Sequence, residues 1–318
     1  MKYGLRTVQS NTKLKKAVLR RAAYRTSLGV MYSGTAEELL TSEIGKLYHN
    51  RIQLILTSPP FPLNRKKAYG NLSGDAYVEW LADMAPLFRD LLTADGSLVI
   101  ELGNAWEKGK PTMSTLPLRS LLALTDKVGF NLCQQFICYN QARLPSPAQW
   151  VNVERIRVKD SYTHIWWLSV CDRPKADNRK VLKKYSIAMR DLLAKQEYNA
   201  GKRPSEHNIG TKSFLRDNSG AIPSNVLTYA NTSATDPYQK YCRINKIKPH
   251  PARMPTSIAE FFIKFLTDPG DVVLDPFAGS NTTGAVAEYL NRKWIAFEPI
   301  PDYVTGSKGR FTSLISET

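Results

Sequence analysis

Seven short runs rich in β-branched and apolar residues recur along the chain, at residues 29–33, 52–57, 97–102, 130–139, 164–170, 272–275 and 294–298. Their length and composition are those of buried strands. Between them, residues 77–92, 116–128, 258–266 and 283–290 place apolar side chains three and four apart, the period of a helix with one buried face. Strands alternating with helices predict an α/β fold on a mostly parallel sheet. In such sheets ligands bind beyond the carboxyl ends of the strands, so residues that follow a strand are the first place to look for chemistry.

Strand 52–57 ends in Ser58-Pro59-Pro60-Phe61. Two prolines fix φ and lack N–H donors, so the strand stops and the chain turns stiffly. That stiffness holds a hydroxyl, free carbonyls and an aromatic ring in one place. An exocyclic amine of cytosine or adenine is a poor nucleophile, because its lone pair is delocalised into the ring. A hydroxyl oxygen from Ser58 and the Pro59 carbonyl can accept its hydrogens and turn the lone pair outward. Phe61 can stack on a base taken out of the duplex. The plainer reading is a proline turn that merely ends a strand.

Strand 272–275 ends in Asp275-Pro276-Phe277-Ala278-Gly279-Ser280-Asn281-Thr282. A glycine-bearing loop that opens a helix lets a ligand approach backbone N–H groups. Some twenty residues on, strand 294–298 closes with Glu298, an offset suited to a ribose diol. The chain has no G-x-G-x-x-G fingerprint for a diphosphate, which points to a nucleotide without one, such as S-adenosylmethionine. Asp275 can place a carboxylate near a sulfonium or cap and position the loop. Phe277 can pack on the cofactor or serve as core.

The net charge of +16 is unevenly spread. Residues 1–36 carry eight Lys or Arg and no acid, and residues 171–254 carry 17 basic and 7 acidic residues. Charge concentrated this way fits a surface that faces a polyanion, since phosphate contacts supply most non-specific nucleic-acid affinity. Arg65, Lys66 and Lys67, just past the proline turn, are candidates for the backbone of the reacting strand. Four regions follow: a basic segment 1–27, a first core half 28–171, a loop-rich basic insertion 172–249 and a second core half 250–318. Cys133, Cys138, Cys171 and Cys242 form no pair with zinc-ligand spacing, so no metal is expected and the cysteines read as reduced. No apolar stretch suits a membrane span and no signal peptide is evident, so a cytoplasmic protein without membrane contact is expected.

The two motifs together resemble those of the β-group amino-methyltransferases of restriction–modification systems, whose marks are a cofactor motif D-P-F-x-G-x-G and a catalytic motif S/D/N-P-P-Y/F/W, the catalytic one first. The likeness extends over about residues 28–312, through 57–72, 144–160, 203–213, 249–255 and Trp166-Trp167. It implies a Rossmann-like methyltransferase sheet with permuted motif order, S-adenosylmethionine as cofactor, double-stranded DNA as partner and a companion endonuclease. The serine that begins the loop implies cytosine N4 as the target, with adenine N6 on the same scaffold as the alternative and a non-catalytic DNA-binding protein as a further one. Carbon-5 methylation is disfavoured, because none of the cysteines follows a proline. The resemblance also assigns 250–266 to the cofactor pocket, 172–249 to target recognition, and Thr35 to the adenine end, where the family usually carries Asp.

Overall fold

The computed structural model describes residues 22–61, 74–229 and 236–311, apart from 199, 203, 207, 211 and 213. Two compact units emerge, Asp177–Ser224 and the remainder. The segment expected as one insertion, 172–249, is therefore shared between them.

Among the described residues the larger unit is built on a nine-stranded sheet. Its centre holds β2 (Gly29–Ser33), β11 (Lys293–Glu298), β10 (Val272–Asp275), β3 (Ile52–Thr57) and β4 (Leu92–Gly103), side by side in that order and all parallel. β1 (Ala22–Arg25) adds an antiparallel edge beside β2. On the other flank β6 (Tyr162–Ser169) runs antiparallel between β4 and β5 (Asn131–Tyr139), and β9 (Val226–Thr228) joins β5 in parallel. The mostly parallel α/β sheet is the one the strand spacing predicts. β9 was not foreseen, since three residues are too few to show a period.

Helices cover both faces, which is why the central strands read as continuous apolar runs. Two short helices, α1 (Ala36–Leu40) and α2 (Glu43–Leu47), link β2 to β3. On one face α3 (Asp75–Leu91) buries Tyr77, Leu81, Met84, Ala85 and Phe88, a stripe at three- and four-residue spacing. They pack with Ile55, Leu98, Ile100 and Leu102 of β3 and β4. On the other face α7 (Thr256–Leu266) sets Phe262 against Phe136, 5.1 Å between centroids, and Phe265 against Trp167, 5.0 Å. The expected helix 116–128 is α4 (Leu116–Leu122) ending in a wider turn at Ala123–Lys127. A helix not foreseen, α6 (Pro237–Ile244), is short and polar; Pro237 at its first position and the Asp236 cap start it.

The smaller unit contains α5 (Ile187–Lys195), capped by the Ser186 hydroxyl accepting from Met189 N–H, and a two-stranded ribbon of β7 (Gly201–Lys202) with β8 (Asn208–Ile209). No helix among the described residues is long and apolar enough to cross a membrane.

Candidate active site

Thr57, which precedes the first motif, and Asp275, which opens the second, are 218 residues apart, and the motifs meet because β3 and β10 are neighbours in the sheet. From β3 the chain steps outward to β4; from β10 it steps the other way to β11. A crevice opens where strand order reverses, and both loops line the cavity there, about 900 Å³ in volume. The Thr57 hydroxyl donates to Asp275 Oδ1 at 2.7 Å, which ties the two strand ends together.

Asp275 accepts hydrogen bonds from three groups. Its Oδ1 also accepts from Phe277 N–H, 3.1 Å, and its Oδ2 from the Thr283 hydroxyl at the start of α8 (Thr282–Tyr289), 2.8 Å. Burial raises its pKa to about 6, against the lowering effect of those three donors. Of the two roles open to Asp275, the hydrogen bonds favour the loop-positioning one.

Glu298 closes β11 and lines the cavity. Its two oxygens accept from Gly279 N–H, 2.9 Å, and Ile300 N–H, 2.8 Å, and burial lifts its pKa to about 7. Each oxygen keeps a lone pair for a further donor. Gly279 sits at φ +51°, and a Cβ there would stand 3.1 Å from the His250 ring. His250 in turn meets Tyr303 edge-on at 4.6 Å. Pro276, Phe277, Ser280 and Thr282 also line the cavity, as does Thr35, whose hydroxyl caps α1 by accepting from Glu38 N–H. Asn281 does not line it. It sits at φ +52°, is fully buried, accepts Gly284 N–H and donates to the Tyr24 hydroxyl, so it caps α8.

At the other end Ser58, Pro59, Pro60 and Phe61 line the same cavity. The Phe61 ring lies against Gly103, where a Cβ would come within 2.6 Å of it. Thr57 pairs with Ile100, so Ser58 stands one residue beyond the ladder beside Glu101. Arg65, Lys66 and Lys67 lie outside the described residues.

Several lining residues escaped sequence reasoning. Glu101 is buried, accepts the Thr163 hydroxyl at 3.0 Å, and is held above the usual carboxylate range by desolvation. An acid inside the apolar run 97–102 was the available signal. Trp80 tilts against Phe277 at 5.6 Å and donates to Glu37 Oε1 at 2.6 Å. Tyr77 and Asn104 line the cavity with polar atoms that have no hydrogen-bond partner among the described residues. Behind the glycine loop, Arg310 donates from Nε to the Ser280 carbonyl at 2.7 Å and pairs with Asp236 at 3.1 Å.

A cavity of this size suits a nucleoside-sized ligand at the glycine-loop end and a second planar group at the proline-loop end. The residues fit S-adenosylmethionine. Glu298 offers acceptors for ribose hydroxyls, the Trp80–Phe277 pair offers an aromatic wall, and Tyr77 offers a buried hydroxyl that has no partner among the described residues.

Residues 52–309 match the N6/N4 methyltransferase family, described as DNA methylase. Over 313 residues the chain is 45% identical to the Type II methyltransferase M.PvuII of Proteus hauseri, covering 98% of this chain and 91% of that protein. The solved structure of the PvuII DNA methyltransferase (cytosine-N4-specific) superposes with a TM-score of 0.73 at 41% identity, covering 92% of this chain and 89% of the other. A putative DNA modification methylase from Thermus thermophilus, complexed with S-adenosyl-L-methionine, shares the fold at 20% identity and a TM-score of 0.54, over 89% of this chain and 92% of the other.

Proposed function

We infer what this chain does from the premise that it belongs to the N6/N4 DNA methylase family. It is a site-specific DNA methyltransferase that moves a methyl group from S-adenosylmethionine to the N4 exocyclic amine of cytosine in duplex DNA. The observation that brings the activity to this chain's own residues is the Thr57–Asp275 hydrogen bond, which holds the amine-handling loop and the cofactor loop around one cavity.

S-adenosylmethionine, when bound, supplies an electrophilic methyl on a sulfonium. Gly279, Ser280, Thr282, Phe277 and Glu298 hold it, with Thr35 toward the adenine end. Phe61 stacks on the extruded cytosine. The Ser58 oxygen and the Pro59 carbonyl accept amine hydrogens, so that the nitrogen lone pair faces the methyl rather than the ring. Holding amine and methyl in line is worth several kcal/mol of barrier, on the order of the proximity effects seen in oriented reactions. Both carbonyl and hydroxyl can accept without ionising, so positive charge developing on the amine meets oxygen dipoles. Arg65, Lys66 and Lys67 are assigned to the phosphates of the reacting strand. The unit 177–224, with ten basic and five acidic residues, is our candidate for the core of target recognition within 172–249. We place the enzyme in the cytoplasm beside a companion endonuclease whose cleavage its methyl groups block.

The test is tritiated-methyl transfer to duplex DNA followed by nucleoside mass spectrometry, with sequencing of methylation marks to give the site. N4-methylcytosine is expected; N6-methyladenine without it overturns the assignment of the base.

Two further outcomes follow from the geometry. Gly103→Ala drives a methyl into the Phe61 ring, and overpacking of this kind costs about 1–3 kcal/mol. The kcat/KM for DNA falls roughly tenfold, while S-adenosylmethionine affinity holds; equal DNA kinetics in the two proteins would show that the ring's seat is unimportant. Glu298 accepts hydrogen bonds best as a carboxylate, and its pKa is raised to about 7. A group whose ionised form binds ligand loses that affinity as pH falls through its pKa. S-adenosylmethionine therefore binds roughly tenfold more weakly at pH 6 than at pH 8, and Glu298→Gln flattens the profile. Isothermal titration at the two pH values decides it.

A further inference from the structure

Asn104 follows Gly103 directly at the end of β4 and lines the cavity. It is 5% exposed, and neither its Oδ1 nor its Nδ2 has a hydrogen-bond partner among the described residues. A fold seldom leaves a buried carboxamide with both atoms idle, because each was hydrogen-bonded to water before folding. Other polar groups that line the cavity are already engaged. The Thr163 hydroxyl donates to Glu101, Asn140 Oδ1 accepts Ala142 N–H, and an Arg143 Nη donates to the Tyr162 carbonyl. The Phe61 ring lies against the residue immediately before Asn104, so the ring and the carboxamide share one end of the cavity.

Extruding cytosine strips its Watson–Crick edge of the partners guanine supplied. That edge then presents an amine N–H beside the ring acceptor N3, a donor next to an acceptor. A carboxamide presents the complementary pair. We propose that Asn104 reads the edge of the extruded cytosine, Nδ2 donating to N3 and Oδ1 accepting the amine hydrogen on the same side. One planar contact then satisfies both idle atoms. The Asn104 oxygen joins those of Ser58 and Pro59 as a third acceptor around the two amine hydrogens, and Nδ2 fixes the in-plane rotation of the base. This rests on cytosine being the target base, as argued above.

The test uses full-length wild type, Asn104→Ala and Asn104→Asp, with duplexes carrying cytosine or 3-deazacytosine at the mapped target position. 3-Deazacytosine keeps the amine and replaces N3 by a carbon. On cytosine, Asn104→Ala lowers kcat/KM at least tenfold. Asn104→Asp, which presents acceptors to an acceptor, lowers it further, while S-adenosylmethionine affinity and Tm stay near wild type. On 3-deazacytosine the gap between wild type and Asn104→Ala shrinks to about threefold or less, because the contact to N3 is already gone. A loss of the same factor on both substrates would assign Asn104 a structural role and overturn the proposal, as would no loss on cytosine. Wild type that forms no N4-methylcytosine at all would instead sink the assignment of cytosine, and this inference with it.

Discussion

Ser58→Ala lowers turnover about a hundredfold, the scale on which a single transition-state hydrogen bond to a reacting group acts, and leaves DNA and cofactor binding close to wild type. The serine is half-buried just beyond β3, and the two prolines after it stiffen the turn that holds it. Removing its oxygen leaves the Pro59 carbonyl and Phe61 in place, so the base still enters and stacks. What is lost is an acceptor whose value rises as the amine nitrogen turns tetrahedral and its hydrogens become more acidic. A change felt in kcat and absent from ground-state affinity is the signature of such a contact. Single-turnover methyl transfer together with gel-shift titration separates the two; unchanged turnover would remove Ser58 from the chemistry.

Arg310→Met destabilises the fold by about 3 kcal/mol, since removing one partner of a buried pair strands the other. Arg310 and Asp236 side chains are 8% and 13% exposed. The guanidinium lies 5.2 Å from the centre of the Tyr238 ring and spans from Asp236 to both the carbonyl and the hydroxyl of Ser280. Asp236 keeps Arg253 at 3.4 Å, so the fold survives with a lowered Tm. The glycine loop loses its rear support, and S-adenosylmethionine affinity falls roughly tenfold, the equivalent of one charged hydrogen bond. Arg310→Lys recovers part of the stability and little of the affinity, because an ammonium cannot span both groups as the planar fork does. Thermal melts and calorimetric titration of the three proteins test this. A melting loss without any change in affinity would confine Arg310 to structure.

Much of the frame was legible because its signals are local. A run of β-branched residues that stops at Pro59-Pro60 or at Asp275-Pro276 announces both a strand and a turn, and Gly279 announces the left-handed backbone found there, at φ +51°. Glu298 was marked by its offset from the glycine loop, and it lines the cavity. Residues whose role depends on a distant partner were not. Nothing near Arg310 in sequence points to Ser280, thirty residues away, or to Asp236, seventy-four away. Asn281 looked like one more cofactor-loop residue, and only the placement of Tyr24 shows its amide turned inward as a cap. Asn104 has no sequence signal at all; its meaning lies in the partners it lacks.

The order of strands in the sheet bears on how the chain is made. β10 and β11 are inserted between β2 and β3, although they come from residues 272–298 and their neighbours from residues 29–57. During synthesis the inner edges of β2 and β3 stay unpaired until nearly the whole chain has emerged, and open edges invite wrong partners. Closure across so long a loop is slow compared with local pairing. The nascent protein therefore passes through a long aggregation-prone interval, and a ribosome-stalled or truncated chain that stops before residue 272 cannot assemble the crevice.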